Sequence, residues 1–325
     1  MDLLTSLKTK VKEQKKTIVF PEGNDQRVVR AAVRLAKEKL LTPIILGEKA
    51  MIEKTNGAQV PAGVICLDPK TYPTSEKDKM IQAFVTRRKG KNTVEEAQKL
   101  LTDVNYFATM LVYLGQADGM VSGAIHSTGE TVRPALQIIK TKPNVSRTSG
   151  AFVMLRGEER YVFADCAINI DPSAKELAEI ALESAKTARL FDIEPRIALL
   201  SFSTKGSAKS PVVDKVKEAV ELAHELAPEE RLDGELQFDA AFVPDVATKK
   251  APLSQIAGQA NVFIFPELQS GNIGYKIAQR LGGFEAVGPV LQGLNQPVSD
   301  LSRGCDEEEV YKVALITAAQ AIGGK

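Results

Sequence analysis

The chain alternates short apolar runs with longer stretches in which apolar residues recur every three or four positions. KTIVFPEG is an apolar run that ends in Pro-Glu-Gly; the helical pattern QRVVRAAVRLAKEK follows, and then the apolar TPIILGE. That order predicts a βαβ unit and hence a parallel sheet, whose functional edge lies at the carboxyl ends of its strands, where Glu22 and Gly23 fall. SEKDKMIQAFVTRRK, TVEEAQKLL and NYFATMLVYLG predict three helices, the second opened by Thr93 and Glu96 in capping-box spacing. ADGMVSGA predicts a buried strand running into HSTGETVRPALQIIK. There Ser127 and Glu130 repeat the capping-box spacing, which places a helix start at Ser127 or Thr128.

From Thr148 the pattern changes. GAFVMLR and RYVFADCAINI flank a short GEE turn and predict an antiparallel hairpin containing Cys166, which does not continue a wound parallel sheet. A domain boundary is therefore expected near Asn144 to Ser149. Asp171-Pro172 is expected to cap a helix with a small-residue face from Leu177 to Ala188. RIALLSFS, FDAAFVPD and ANVFIFPE are expected as strands, Glu229 to Glu235 as surface, and Ser270, Gly271, Asn272 and Gly274 as a strand-to-helix turn. GPVLQGLNQPVSDLSRGCDEEEV then leads from a strand through an irregular loop, and the apolar helix VYKVALITAAQAI closes the chain. The expected fold is α/β, with two domains and mostly parallel sheets.

Composition narrows the function. Lys and Arg number 42 against 41 Asp and Glu, so net charge is +1, and an anion site has to be built locally rather than by a global field. The three cysteines, Cys66, Cys166 and Cys305, are too few and scattered for a disulfide framework or metal site, which points to a reducing cytoplasm. No apolar run approaches the ~18 residues of a membrane span. MDLLTSLKTKVKEQKK reads as a charged helix with no apolar signal core. The only histidines are His126 and His224. His224 sits in a charged helical run and reads as surface.

Four places carry candidate chemistry. The turn of His126, Ser127, Thr128 and Thr131 gathers hydroxyls, backbone amides and Arg133 at a helix start, a setting suited to anions. Arg87-Arg88-Lys89-Gly90-Lys91 is a basic knot, equally readable as a solvated helix end. Lys205, Gly206 and Ser207 have a phosphate-cradle composition without the nucleotide-loop pattern GxxxxGK[ST]. The last loop delivers Ser302, Arg303 and Gly304 to a helix start. If the strands' carboxyl ends point one way, these places and the Ser270 to Gly274 turn face one cleft.

LQGLNQPVSDLSRGC, SGAIHSTGETVRPALQIIKT and SFSTKGSAKS together resemble phosphate acetyltransferase (phosphotransacetylase), over nearly the whole chain from Phe20-Pro21-Glu22-Gly23 to the last helix. The resemblance implies a two-domain, three-layer fold like that of the isocitrate/isopropylmalate dehydrogenases. It implies residues 1–146 plus 298–325 as one domain, residues 147–297 as a second, dimerising one, and an active site in the interdomain cleft. The implied reaction is acetyl-CoA + phosphate = CoA + acetyl phosphate, through a ternary complex and direct thiolate attack. Coenzyme A is then a substrate, with no bound cofactor, no metal, and no nucleic-acid or membrane partner. Ser302 and Arg303 would contact the reacting groups. Arg88 or its neighbour Arg87, together with Arg133, would bind coenzyme A, and His126, Ser127, Thr128, Thr131, Ser207 and Asn272 complete the expected contacts.

Glu309 stands where the family carries an aspartate as proposed base. A carboxylate near 4.3 facing a thiol near 8.5 is mismatched by about 4 pKa units, roughly 6 kcal/mol, and Asp306 to Glu309 is also capping-box spacing. Thiolate stabilisation by Arg303 and the helix end is therefore expected to do much of the activation, with Glu309 a modest proton acceptor. Asp300 is a candidate to orient Arg303. The alternatives are butyryl transfer, a decarboxylating dehydrogenase, for which an acidic metal triad and GxGxxG are missing, and a non-catalytic acyl-CoA-binding regulatory module.

Overall fold

The computed structural model describes residues 3–323. The chain divides into two compact units, one comprising the residues up to Lys140 together with Leu294 onward, the other Thr141–Gly293.

The first unit runs α1 (Leu3–Lys12), β1 (Thr17–Phe20), α2 (Gln26–Lys37), β2 (Thr42–Leu46), α3 (Lys49–Asn56), β3 (Ile65–Leu67), α4 (Thr74–Arg88), α5 (Val94–Leu100), α6 (Val104–Tyr113), β4 (Gly119–Ser122) and α7 (Thr128–Ile138). The second runs β5 (Ser149–Arg156), β6 (Glu159–Ala164), α8 (Ala174–Leu190), β7 (Ile197–Leu200), α9 (Pro211–Leu226), β8 (Leu232–Leu236), α10 (Phe238–Phe242), α11 (Pro244–Lys250), β9 (Val262–Ile264), α12 (Leu268–Arg280) and β10 (Glu285–Gln292). The chain returns to the first unit for β11 (Val298–Asp300) and α13 (Glu307–Gly323).

The first sheet, β11-β4-β1-β2-β3, is parallel throughout. α2 and α13 pack on one face and α6 and α7 on the other, so the central strands β1 and β4 are buried, while the edge strand β3 is partly exposed. α2 buries Val28, Val29, Ala32 and Leu35 at helical spacing; Asp25 caps it by accepting the amides of Arg27 and Val28. The register that pairs Ser122 of β4 with Asp300 of β11 brings the two loops that follow them out side by side.

The second sheet, β10-β5-β6-β9-β7-β8, is mixed. The β5–β6 hairpin and β10 are antiparallel, and β6, β9, β7 and β8 are parallel. Five expectations fail here. FDAAFVPD is helical, because Phe238 and Phe242 stack at i, i+4 spacing with Ala240 and Ala241 buried, and Pro244 opens α11. Glu229 to Glu235 is no surface turn, because Leu232 onward forms edge strand β8 and Glu235 is buried. Ser173 with Glu176, not Asp171-Pro172, caps α8, while Asp171 pairs with Lys215 at 2.7 Å. Ser270 to Gly274 lie inside α12, which Glu267 caps, and Gly271 is required there because a Cβ would stand 2.2 Å from the Asp165 carbonyl oxygen. Cys166 lies just beyond β6, buried, and burial pushes its thiol well above the ordinary range. The α8 face of Leu177, Ile180, Ala181, Ser184, Ala185 and Ala188 is buried within the unit.

Candidate active site in the first unit

At the carboxyl edge of the parallel sheet, β1 ends in Pro21-Glu22-Gly23. Glu22 is fully buried, and its carboxylate accepts the amides of Gly123, Ala124, Ile125 and His126 at 2.9–3.1 Å. The His126 ring Nδ1 lies 2.7 Å from the same carboxylate. One buried carboxylate thus folds the whole loop after β4 around itself. Those four amides are consequently turned inward, and the His126 amide is withdrawn from the expected anion-binding turn.

Helix α7 then starts as the spacing predicts. Ser127 Oγ accepts the Glu130 amide, and the Glu130 carboxylate accepts the Ser127 amide at 2.7 Å. Among the described residues the amides of Thr128 and Gly129 take no partner, which leaves the first turn of the helix as the open donor pair. Thr128 Oγ1 donates to Asp300 Oδ2 at 2.6 Å. Thr131 is fully buried, and among the described residues its hydroxyl has no hydrogen-bond partner, so it does not meet a ligand from solvent. Burial pushes the Asp300 carboxyl above its ordinary value, and the hydrogen bond from Thr128 offsets only part of this; Asp300 Oδ1 is buried without a partner among the described residues. Asp300 thus faces α7; among the described residues no bond joins it to the Arg303 guanidinium, contrary to expectation.

The loop after β11 holds Ser302, Arg303 and Gly304, all exposed. It does not reach the helix start directly, because α13 begins at Glu307. Ser302 Oγ accepts the Gly304 amide at 3.2 Å, and the Ser302 carbonyl accepts the Cys305 amide at 2.9 Å. Glu309 Oε2 accepts the Asp306 amide at 3.0 Å, while Asp306 Oδ1 accepts the Glu309 amide at 2.8 Å, a reciprocal cap. With Glu307, Glu308 and Glu309 in the first turn of α13, its dipole is already offset by the chain's own carboxylates, so this helix end is poorly suited to a second anion. Burial pushes the Cys305 thiol up to about 11, which leaves it protonated and inert.

Arg27 ties these loops together, and no motif signalled it. Its Nη1 donates to the carbonyls of Arg303 at 2.9 Å and Cys305 at 2.7 Å, and its Nη2 donates to the Ala124 carbonyl at 2.9 Å. Asp25 fixes the guanidinium by accepting from Nε at 3.1 Å and Nη2 at 2.8 Å. A cation that binds main-chain carbonyls across sequence gaps of 97 to 278 residues leaves no pattern in a linear sequence.

Arg133 is exposed on α7, its guanidinium folded back to within 3.9 Å of where a Gly129 Cβ would stand. The basic knot lies at the far end of the same helix, about 16 Å of α-helix from Ser127. There Arg87 Nε and Nη2 donate to the carbonyls of Ile138 and Ile139 at 2.5 and 2.8 Å, capping the carboxyl end of α7. Arg88 uses only Nε, on Asn92 at 2.9 Å. Desolvation and the like charges of Arg87, Lys89, Arg88 and Lys91 push the Lys140 ammonium below its ordinary value, so five cations crowd one spot. The Tyr106 hydroxyl, which donates to Gln137, lies within the fields of both Arg133 and Arg88.

In the second unit, Ser207 Oγ accepts the Thr204 amide at 3.0 Å, in a loop organised by buried Glu235, which accepts the Ser203 hydroxyl and the Gly206 amide. Asn272 Nδ2 donates to the Cys166 carbonyl at 3.1 Å. Among the described residues no group of His, Cys, Asp and Glu is placed to hold a metal ion.

A phosphate acetyltransferase of Bacillus subtilis is 63% identical over 323 residues, 99% of each chain. The solved phosphotransacetylase of Streptococcus pyogenes is 63% identical with a TM-score of 0.96, over 99% of this chain and 98% of that one. A 4-hydroxythreonine-4-phosphate dehydrogenase structure from Salmonella typhimurium, 14% identical over 94% of this chain and 99% of its own, has a TM-score of 0.52 and shares the dehydrogenase-like fold alone. The model of the phosphate acetyl/butaryl transferase family matches residues 2–318, and the chain belongs to that family.

Proposed function

We infer that the protein is a phosphate acetyltransferase that interconverts acetyl-CoA and phosphate with coenzyme A and acetyl phosphate. The observation that carries the site assignment is the cationic track along α7. It runs from the Thr128 and Gly129 amides through Arg133 to the cluster of Arg87, Arg88, Lys89, Lys91 and Lys140. Coenzyme A has its thiol at one end and its phosphates at the other. Its pantetheine arm, some dozen bonds long, extends on the order of 15 Å. A helix about 16 Å long with cations at the far end and polar donors at the near end matches that separation.

In this reading Arg133 and Arg88 bind coenzyme A, while Arg87, held by two backbone carbonyls, shapes the cluster. Ser302 and Arg303 meet the acetyl and phosphate groups, and the Ser127 and Thr128 turn completes the cradle. The thiolate attacks the acetyl carbonyl, the C–O bond to phosphate breaks, and phosphate leaves with the electron pair. Donors aimed at the developing oxyanion are typically worth ~3 kcal/mol each, and holding two mutually repelling anions in place adds several more. Glu309 anchors the start of α13. Ser207 and Asn272 are substrate-contact candidates of the second unit.

A cytoplasmic homodimer is the proposed state. No described helix is long and apolar enough to cross a membrane. The second unit exposes Ile273 and Ile277 along one line of α12 and Leu281 at its C-cap, a face suited to self-association that light scattering tests directly. The activity is tested by following thioester absorbance from acetyl phosphate and coenzyme A, with butyryl phosphate as comparison and with and without chelator. Acetyl transfer without metal is expected; preference for butyryl phosphate, or failure of R133A to raise the KM for coenzyme A, would overturn the assignment.

A further inference from the structure

Acetyl transfer as proposed above requires a group that takes the proton from the coenzyme A thiol, and several carboxylates around the Arg303 loop hold groups of the chain, although Asp300 Oδ1 is buried without a partner among the described residues. Glu309 binds the Asp306 amide, Asp25 binds Arg27, Asp300 binds Thr128, and Glu130 binds the Ser127 amide and hydroxyl. Beside them stands a histidine with an uncommitted ring nitrogen.

We propose that His126, held by buried Glu22, is the catalytic proton acceptor for the thiol, with Glu22 as its positioning residue. Three observations support this. First, the Glu22 Oε1 that meets His126 Nδ1 already accepts the amides of Gly123, Ile125 and His126, so the proton in the 2.7 Å contact sits on the ring nitrogen. Nδ1 is then the donor, and Nε2 carries the lone pair. Second, among the described residues Nε2 has no partner, and the side chain is 21% exposed, so it is reachable from solvent. Third, His126 stands between two ties to the Arg303 loop. Two residues before it, the Ala124 carbonyl shares the Arg27 guanidinium with the Arg303 carbonyl; two residues after it, the Thr128 hydroxyl binds Asp300. The proposal rests on the assignment of Ser302 and Arg303 to the reacting groups.

Proton balance is simple. The thiol proton passes to Nε2 as sulfur attacks the acetyl carbonyl, the departing phosphate takes the electron pair of the broken C–O bond, and the imidazolium returns its proton to phosphate. In reverse, imidazolium protonates the leaving thiolate. An ordinary imidazole near 6.5 lies about 2 pKa units from a thiol near 8.5, against about 4 for a carboxylate. The charged groups that act on His126 are Glu22, which its Nδ1 meets, and Glu130 on α7; Arg27 from α2 binds the Ala124 carbonyl and Asp300 from β11 accepts the Thr128 hydroxyl, each two residues from His126 in the chain.

H126N keeps a donor for Glu22 at the Nδ1 position but offers no base. With folding checked by thermal melting, kcat is expected to fall about 10²- to 10⁴-fold, with the KM for coenzyme A changed less than about threefold and the acidic limb of the pH–rate profile lost. E22Q, which removes the negative partner, is expected to move that limb to lower pH, whereas E309Q leaves it in place. An H126N enzyme within about threefold of the parent, or an acidic limb that disappears in E309Q instead, overturns the proposal. Nitrogen-15 NMR of the unaltered protein needs no variant: the Nδ1–H tautomer of His126 supports the assignment, and the Nε2–H tautomer sinks it. Absence of acetyl transfer by the unaltered protein would refute the functional reading itself, whereas an active parent with an equally active H126N removes only the histidine.

Discussion

The guanidinium of Arg27 holds the backbone carbonyl of Arg303 at 2.9 Å, so one arginine positions the loop that carries another. The same group grips Cys305 and Ala124, and Asp25 locks it from behind. Because the fork is planar and pre-organised, lysine cannot reproduce it. R27K is expected to lower kcat/KM by about 10- to 100-fold, equivalent to about 1.4–2.8 kcal/mol of lost positioning, with the secondary structure retained. Steady-state kinetics with circular dichroism checks this. Unchanged kinetics would mean that the loop holds its shape without the fork.

Adjacent arginines separate in role. Arg87 satisfies two carbonyls at the end of α7, whereas Arg88 leaves its Nη groups uncommitted. R87A is expected to destabilise the protein by about 1–3 kcal/mol in denaturant titration, since it removes the Arg87 donors from the Ile138 carbonyl and leaves the Ile139 carbonyl with Asn295 alone. R88A is expected to stay within about 0.5 kcal/mol in stability while raising the KM for coenzyme A several-fold. The opposite pattern would reverse the assignment.

Gly123 has φ +113°, and a Cβ there would stand 2.6 Å from Asp300 Oδ1 and from the Leu301 amide. Both the conformation and the space exclude a side chain. G123A is expected to cost more than about 3 kcal/mol or to abolish soluble expression, measured by urea unfolding. A well-folded G123A with full activity would show that β4 and β11 tolerate separation at their ends.

Asp300 gives a pH dependence of stated sign. Burial raises its folded-state value, so between the unfolded and folded values the native state binds more protons than the unfolded chain. Its contribution to stability therefore falls as pH rises through the range just above an ordinary carboxylate. D300N, which still accepts from Thr128, is expected to flatten the stability–pH curve in that range. A curve with unchanged slope would show that the carboxyl is not the titrating group.

The sequence by itself determined the elements whose signals are local. The βαβ opening, the boxes at Thr93 and Ser127, the hairpin from Ser149 to Ala164 and the cap pairing Asp306 with Glu309 all depend on residues within a few positions of each other. Ordered motifs likewise identified the family and marked Ser302, Arg303 and Arg133. FDAAFVPD and LDGEL misled because short apolar or charged runs do not reveal whether a neighbouring strand will pair with them. Only the tertiary structure decided what the carboxylates and arginines do. Glu22 folds the loop from Gly123 to His126, Arg27 joins three loops, and Arg87 caps a helix 51 residues away, because a buried charge is stabilised by whatever backbone groups the sheet register brings to it. That register follows from the packing of the whole sheet, which no short window of sequence contains.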